Sequence, residues 1–396
     1  MGSPGLALRD EVTKVLPRIS ANAAATEQAR SVHPENVALL RATGFLNAFQ
    51  PALFGGLEVD IHTYGTILID IAEACGSTAW AMGLLAQHSH MIGLMSPEAQ
   101  HEIWDDNPDA LASSSVAPFG TAEPVNGGVR LSGRFGWSSG CDHATWAILG
   151  FPQPDPLLGG KTGSHLAVVP LADGNTPGYT IDDDWQVAGL RGTGSKTLVV
   201  DDVFVPHYRI ESLWGLRVGQ SQGYGWHPGD IFCSSFSHYF ACGFAATALG
   251  VARRLLDVYT ERTKTRVRAY TGANVGEGAP AAMHLAESYH QLFGARSSLE
   301  ADWRAIAARS RSGELPTPDE MAHWRANQAY VTKQAIAAAD RLFTASGGTV
   351  WFDDQEMQRL WRDVKMTGAH TYSDYDVATQ RHGRHLLGLE IDPALF

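Results

Sequence analysis

His370 closes the stretch RDVKMTGAH (362–370) and is the strongest single candidate for proton chemistry. A neutral imidazole has a pKa near ~6.5, so it can act as base or acid around neutral pH. No glutamate lies between Asp363 and Asp374, and Asp374 and Asp376 are weaker base candidates a turn further on. A second histidine, His88, sits in the apolar run LLAQHSHM, 26 positions before Ser114 and 51 before Ser139. The hydroxyl run Ser113-Ser114-Ser115 and the turn Trp137-Ser138-Ser139-Gly140 combine donors and acceptors with small residues that let a backbone approach a ligand closely. Arg191 and Ser195 lie in GLRGTGSKTLVVDDVFVP (189–206), and Arg266 and Arg268 follow a long helical stretch. Arginine suits phosphate because it donates two bonds at once. Each feature also has a structural reading: capping, core or interface histidines, polar turns, an exposed helix end. His88 and His90 form an HxH pair and His382 and His385 lie three apart, but no Cys or carboxylate cluster accompanies them, so no metal is assigned.

Three blocks of sequence must position these residues. Up to about residue 109 the apolar period is helical: Leu8, Val12, Val15, Leu16 and Ile19 recur at three- and four-residue steps. Gly76-Ser77 should end one helix before another over 78–94, and Ser96-Pro97 should start a short one. From 110 to 225 strand-like pieces alternate with turns, with a hairpin at Gly127-Gly128 and an exposed loop over 152–164. From 226 to 396 the helical period returns in four long candidates, 232–266, 281–311, 318–346 and 355–387, as in a bundle. Thr317-Pro318 with Glu320 is a helix start, and Gly347-Gly348 a stop. The expected architecture is α+β: an N-terminal α-helical domain (1–109), a central β-barrel or sandwich domain (110–225) and a C-terminal four-helix bundle (226–396).

Composition narrows the partners. With 30 basic and 42 acidic residues the net charge is −12, which disfavours nucleic acid and anionic membranes. The 4 cysteines form no CxxC pair and fit a reducing, cytoplasmic setting. No apolar run approaches the ~20 residues needed to span a bilayer, and no signal peptide is visible. There is no GxGxxG dinucleotide turn, phosphate loop or GxSxG elbow, so a flavin or nicotinamide would have to bind in another way.

SSSVAPFGTAEP (113–124), GRFGWSSGCDHATW (133–146), the 189–206 signature and RLWRDVKMTGAH (359–370), in this order of blocks, resemble the acyl-CoA dehydrogenase superfamily over nearly the whole chain. His370 stands about where many of those dehydrogenases keep a catalytic glutamate. The match is to the flavin-dependent two-component monooxygenases of that fold, such as oxygenases of the hydroxyphenylacetate and seco-steroid phenol type. The resemblance implies reduced FAD or FMN, supplied by a separate NAD(P)H-dependent flavin reductase, and O2 carried as a C4a-hydroperoxyflavin. It implies hydroxylation of an aromatic, phenolic or polyketide-like small molecule by a homotetramer. Ser139, or else Ser138, would meet flavin N5, beside Trp137. Arg191, Ser195, Arg266, Gly347 and Gly348 would hold the cofactor, although Phe343 replaces a glutamine of the dehydrogenase pattern and leaves FAD against FMN open. His370 would deprotonate a phenol or hold the distal peroxide oxygen. His88 and Ser114 would orient the substrate, with Trp226 at its mouth or else at an interface. The alternatives are nitrogen or sulfur oxygenation on the same fold, an acyl-CoA dehydrogenase or oxidase, and a catalytically silent flavin-binding homologue.

Overall fold

The computed structural model describes residues 4–390. Helices α1 (Pro4–Ala21), α2 (Ala23–Ala29), α3 (Pro34–Ala42), α4 (Ile61–Ala74), α5 (Gly76–Gly93) and α6 (Pro97–Trp104) come first. Helix α1 buries Leu8, Val12 and Ile19, the face its period marks. Helix α5 is different: every residue in it is buried. A helix apolar all round needs neighbours on all sides, and α4, α8 (Phe236–Thr265), α11 (Glu356–Thr367) and β1 (Ala112–Ser115) surround it. The expected stop at Gly76-Ser77 falls instead at Cys75, whose extended backbone separates α4 from α5. Residue 76, the first of α5, is a glycine at close approach to α8: a Cβ there would lie 2.5 Å from Cγ2 of Val251.

The remaining strands are β2 (Thr121–Val125), β3 (Gly128–Ser138), β4 (Trp146–Pro154), β5 (Thr162–Pro170), β6 (Thr180–Asp182), β7 (Lys196–Pro206) and β8 (Ile210–Ser212). They form two four-stranded sheets, β1-β4-β5-β8 and β2-β3-β7-β6. Leu149, Phe151, Ala167 and Val169 of one sheet share a core with Leu131, Phe135, Leu198 and Val200 of the other. The β unit is therefore a sandwich. A closed barrel is not formed among the described residues, since no ladder joins the two sheets. Val125 pairs with Gly128, so the hairpin loop is Asn126-Gly127, one residue earlier than expected, with Gly127 at φ +82°. Within the expected loop 152–164, residues 155–161 connect β4 to β5, and the three residues on either side extend those strands. The serine run, loop-like in composition, is strand β1, because it pairs in parallel with Trp146–Leu149.

Helices α7 (Leu213–Arg217), α8, α9 (Ala279–Ser312), α10 (Pro318–Ala345), α11 and α12 (Tyr375–Leu386) complete the chain. Thr317 and Glu320 form the capping box that starts α10. The fourth expected bundle helix, 355–387, is two helices. Gly368 caps α11, then His370 and Asp374 accept the backbone N–H groups of Tyr372 and Val377 and start new turns. That break turns residues 368–374 towards α5 and α8.

Candidate active site

A cavity of about 480 Å³ opens where α5, α8, both sheets and the 366–372 turn meet. Trp80, Leu84 and His88 reach it from one face of α5, and Phe240 and Phe244 from one face of α8. β1 contributes Ser114, the end of β3 contributes Trp137 and Ser139, and the glycine-rich loop contributes Leu190, Thr193 and Ser195. Trp137 (φ +67°) and Leu190 (φ +48°) hold left-handed backbone conformations that disfavour side chains. Such strain concentrates where function over-determines the backbone. The Trp137 indole remains 62% exposed, edge-on to Trp185, an open aromatic surface at the cavity rim.

His88 is fixed from both ends. Its Nδ1 lies 2.7 Å from the carbonyl of Ala112, an acceptor, so Nδ1 carries the proton. Its Nε2 is then a lone pair, and Ser114 Oγ donates to it at 2.8 Å. Burial pushes the imidazole down to about 4, against the small opposing effect of the Ala112 bond. At neutral pH the ring is therefore neutral and the pair is an acceptor: His88 Nε2 takes the Ser114 hydrogen bond, and Ser114 presents lone pairs to the cavity.

His370 is fixed the other way. Its Nδ1 accepts the backbone N–H of Tyr372 at 3.1 Å, which leaves the neutral ring's proton on Nε2. The ring stacks on Phe244 at 3.9 Å and meets the edge of Trp80. Burial first, then the charge of Arg325, lowers it to about 3. His370 is thus both a turn cap and a donor, and it is not poised to take a proton.

A chain of hydroxyls crosses the floor. Trp80 Nε1 donates to Ser139 Oγ at 3.1 Å, Ser139 and Ser195 lie 2.8 Å apart, and Ser195 and Thr193 2.7 Å apart. Thr193 donates to the Leu190 carbonyl at 2.9 Å. With that single proton committed, Ser195 must donate to Thr193 and Ser139 to Ser195. Ser139 is left with an acceptor lone pair as its free valence.

Several expected residues lie elsewhere. Ser138 points away from the cavity, its buried hydroxyl donating to Ser113 at 2.9 Å. Arg191 belongs to the turn that delivers Thr193, but its own side chain is not on the wall. Arg266 donates to the Ala345 carbonyl at 2.8 Å and packs against Gly347, whose added Cβ would lie 2.3 Å from Nη2. Arg266, Gly347 and Gly348 thus gather past the far end of α8, roughly 30 Å beyond Phe244 at ~1.5 Å per residue. Trp226 is not at the substrate mouth: Gly223 bonds to Leu94, and the loop lays Trp226 on His227, His101 and Phe54. Earlier in the chain, Leu213 and Arg217 of α7 reach the cavity. His90 faces away from His88 and bonds the Ile231 carbonyl, so the two do not chelate. Trp80, Phe240, Phe244, Thr193 and Tyr372 were not singled out from sequence. The four-residue steps from His88 back through Leu84 to Trp80, and from Phe240 to Phe244, would have found three of them.

Known proteins resemble this chain over nearly its whole length. Residues 6–104 match the acyl-CoA dehydrogenase N-terminal domain, and residues 242–375 the acyl-CoA dehydrogenase C-terminal domain. The oxygenase component of p-hydroxyphenylacetate 3-hydroxylase from Acinetobacter baumannii is 44% identical over 99% of this chain and 91% of its own length. The oxygenase component of the FADH2-dependent resorcinol hydroxylase from a Rhizobium species is 31% identical over 98% of this chain and 95% of its own. The crystal structure of 3-HSA hydroxylase from Rhodococcus sp. RHA1 superposes with a TM-score of 0.91 at 31% identity, covering 98% of this chain and 99% of that one. The chain belongs to the acyl-CoA dehydrogenase family. Within it, its relatives place it among the flavin-dependent monooxygenases.

Proposed function

We infer that this chain is the oxygenase component of a two-component flavin-dependent monooxygenase, and that it hydroxylates a phenolic aromatic compound. The observation that carries the phenolic assignment is the Ser114–His88 relay, an acceptor pair aimed into a cavity walled by aromatic rings.

Reduced flavin fits the residues present. Ser139 offers an acceptor, as the N5–H of reduced flavin requires, and the exposed Trp137 indole offers a ring surface. Among the described residues the wall holds no carboxylate and one guanidinium, Arg217, so it does not repel an anionic ring. Bound there, reduced flavin would activate O2 and supply one oxygen atom. Ser114 accepts the phenolic hydroxyl while its own proton moves to His88 Nε2, which raises electron density on the ring carbon to be attacked. His370 Nε2–H donates to oxygen across the cavity. Leu84, Phe240 and Phe244 keep bulk water from the reacting atoms. The acid-free wall counts against an acyl-CoA dehydrogenase, which needs a carboxylate base for the α-proton. A relay of acceptors favours a substrate that brings a donor, as a phenol does, over a sulfur atom that has none.

A separate NAD(P)H-dependent reductase would deliver the reduced flavin, as the relatives' designation as oxygenase components supports. We also propose a homotetramer. Exposed Tyr289 and Phe293, one turn apart on α9, and exposed Trp351 and Phe352 support burial against other copies, and light scattering of the eluted protein measures it. The deciding assay supplies FAD or FMN reduced by a generic flavin reductase, 18O2, and phenols including 4-hydroxyphenylacetate and resorcinol. The expected product carries one 18O. The reading is overturned if every phenol yields only hydrogen peroxide while acyl-CoA thioesters reduce the bound flavin.

A further inference from the structure

The turn that carries His370 is gripped from behind by α10. Arg325 sends Nη2 to the Thr371 carbonyl at 2.7 Å and Nη1 to the Tyr372 carbonyl. Its guanidinium also lies 4.7 Å from the centre of the Tyr372 ring. Burial brings this arginine down to about 10, and two backbone carbonyls rather than a carboxylate take its donors.

The first of those bonds bears on His370 through covalent geometry. The Thr371 carbonyl and the Tyr372 N–H are the two ends of one planar peptide unit. Holding the carbonyl therefore fixes where the N–H points, and it points at His370 Nδ1, 3.1 Å away. A cation on the carbonyl also polarises the unit and strengthens its N–H as a donor. With Nδ1 occupied as an acceptor, the neutral ring can carry its proton only on Nε2, the nitrogen with no partner in the described chain.

We infer that Arg325 is a positioning residue: by clamping the Thr371–Tyr372 peptide it fixes the Nε2-protonated tautomer of His370 and aims that N–H into the cavity. Its catalytic importance rests on the role given to His370 above, whereas the tautomer does not.

The test is magic-angle-spinning 15N spectroscopy of sedimented, histidine-labelled protein without flavin or substrate. The His370 signals are identified by their loss in His370→Asn. Wild type is expected to show an unprotonated Nδ1 and a protonated Nε2 at His370. Arg325→Met should give a mixture of tautomers, and Arg325→Lys, which keeps the charge and one donor, a smaller shift in the same direction. Thermal unfolding establishes that each variant is folded, and Arg325→Gln replaces the Met variant if that fails to fold. In the loaded enzyme, Arg325→Met should lower kcat about 10- to 100-fold with little change in the Kd for reduced flavin. A folded Met or Gln variant that retains a single Nε2-protonated His370 overturns the inference. Absence of hydroxylation by wild type overturns the proposed function instead and leaves the tautomer result standing.

Discussion

His88 and His370 meet one cavity with opposite hydrogen-bonding faces. A carbonyl on Nδ1 makes Nε2 of His88 an acceptor, and an N–H on Nδ1 makes Nε2 of His370 a donor. Burial holds both rings neutral near pH 7, at about 4 and about 3. Two identical side chains thus present opposite polarity: Nε2 of His88 accepts from Ser114, and Nε2–H of His370 is free to donate. On this ground the proposed function gives the phenol proton to Ser114 and His88 and keeps His370 as the partner of the peroxide oxygen.

Removing the acceptor relay should impair the chemical step more than cofactor binding. His88→Ala deletes the proton's destination and Ser114→Ala the atom that hands it over. Each is expected to lower kcat/KM for a phenol about 10²- to 10³-fold. The Kd for reduced flavin should change little, because neither residue belongs to the Trp80–Ser139–Ser195 chain. Stopped-flow binding beside product yield separates the two effects. A variant that loses flavin and product in parallel would reassign His88 to the cofactor.

The hydroxyl chain predicts redox selectivity. In Thr193→Val, Ser195 loses its acceptor and can donate to Ser139, which then turns its own proton into the cavity. Reduced flavin presents an N–H at N5 and oxidised flavin a lone pair, so the variant should bind oxidised flavin relatively more tightly. One net hydrogen bond corresponds to about a threefold to tenfold change in the ratio of the two Kd values. Anaerobic titrations with both redox forms measure it, and an unchanged ratio places N5 away from Ser139.

The elements that deliver these side chains differed in how openly the sequence displayed them. His88, Ser114, Ser139 and His370 each sit at an element with a strong local signal: an apolar helix, a hydroxyl run, a strand end, a motif. Trp80 and Phe244 carry an equally plain signal in their four-residue spacing, but only beside a known cavity does that spacing mean more than core. The break at 368–374 was hidden because the apolar period of α11 runs on smoothly into α12. Only side-chain caps at His370 and Asp374, with Gly368 packed so that a Cβ would lie 2.7 Å from Ile336 Cδ1, end the helix. The direction of Trp226 depends on a tertiary bond from Gly223 to Leu94, which no local pattern encodes.

Acid should destabilise this protein through its buried histidines. His88, His90 and His238 are lowered to about 4 and His370 to about 3, from near ~6.5 in an unfolded chain. Between those values the unfolded state binds more protons, so stability falls as pH drops from about 6.5 to about 4, and on to about 3 for His370. Glu73, raised to about 7, and Asp363, raised to about 6, work the opposite way and are outnumbered. His90 serves as the probe because it bonds Ile231 and stacks on Tyr239 away from the cavity. Replacing it with Phe should flatten the fall in stability between pH 7 and 4.5 by about 1–3 kcal/mol. Chemical denaturation at both pH values checks this.

Asp363 straps α11 to the loop that shapes the cavity. Its Oδ1 accepts the Leu190 N–H at 2.6 Å, deep in the protein, and Leu190 holds φ +48° on the cavity wall. Next to it the backbones nearly touch: a Cβ on Gly189 would lie 2.2 Å from the Arg362 carbonyl oxygen. Asp363→Ala leaves a buried N–H without a partner, at a cost of about 1–3 kcal/mol, and releases Leu190, Thr193 and Ser195 together. Lower thermal stability and weaker flavin binding should therefore appear as a pair. Asp363→Asn keeps an acceptor oxygen and removes the charge. Burial raises the carboxyl to about 6, so the folded protein holds this proton more tightly than the unfolded one. Wild type accordingly loses stability at this site as pH rises from about 4 to 6, and the neutral amide does not. The melting temperature of Asp363→Asn should gain on wild type across that window and stay level above it. If the Asn variant falls behind as pH rises, the clasp depends on a charged carboxylate, and attraction to Arg359 and Arg362 outweighs desolvation at Asp363.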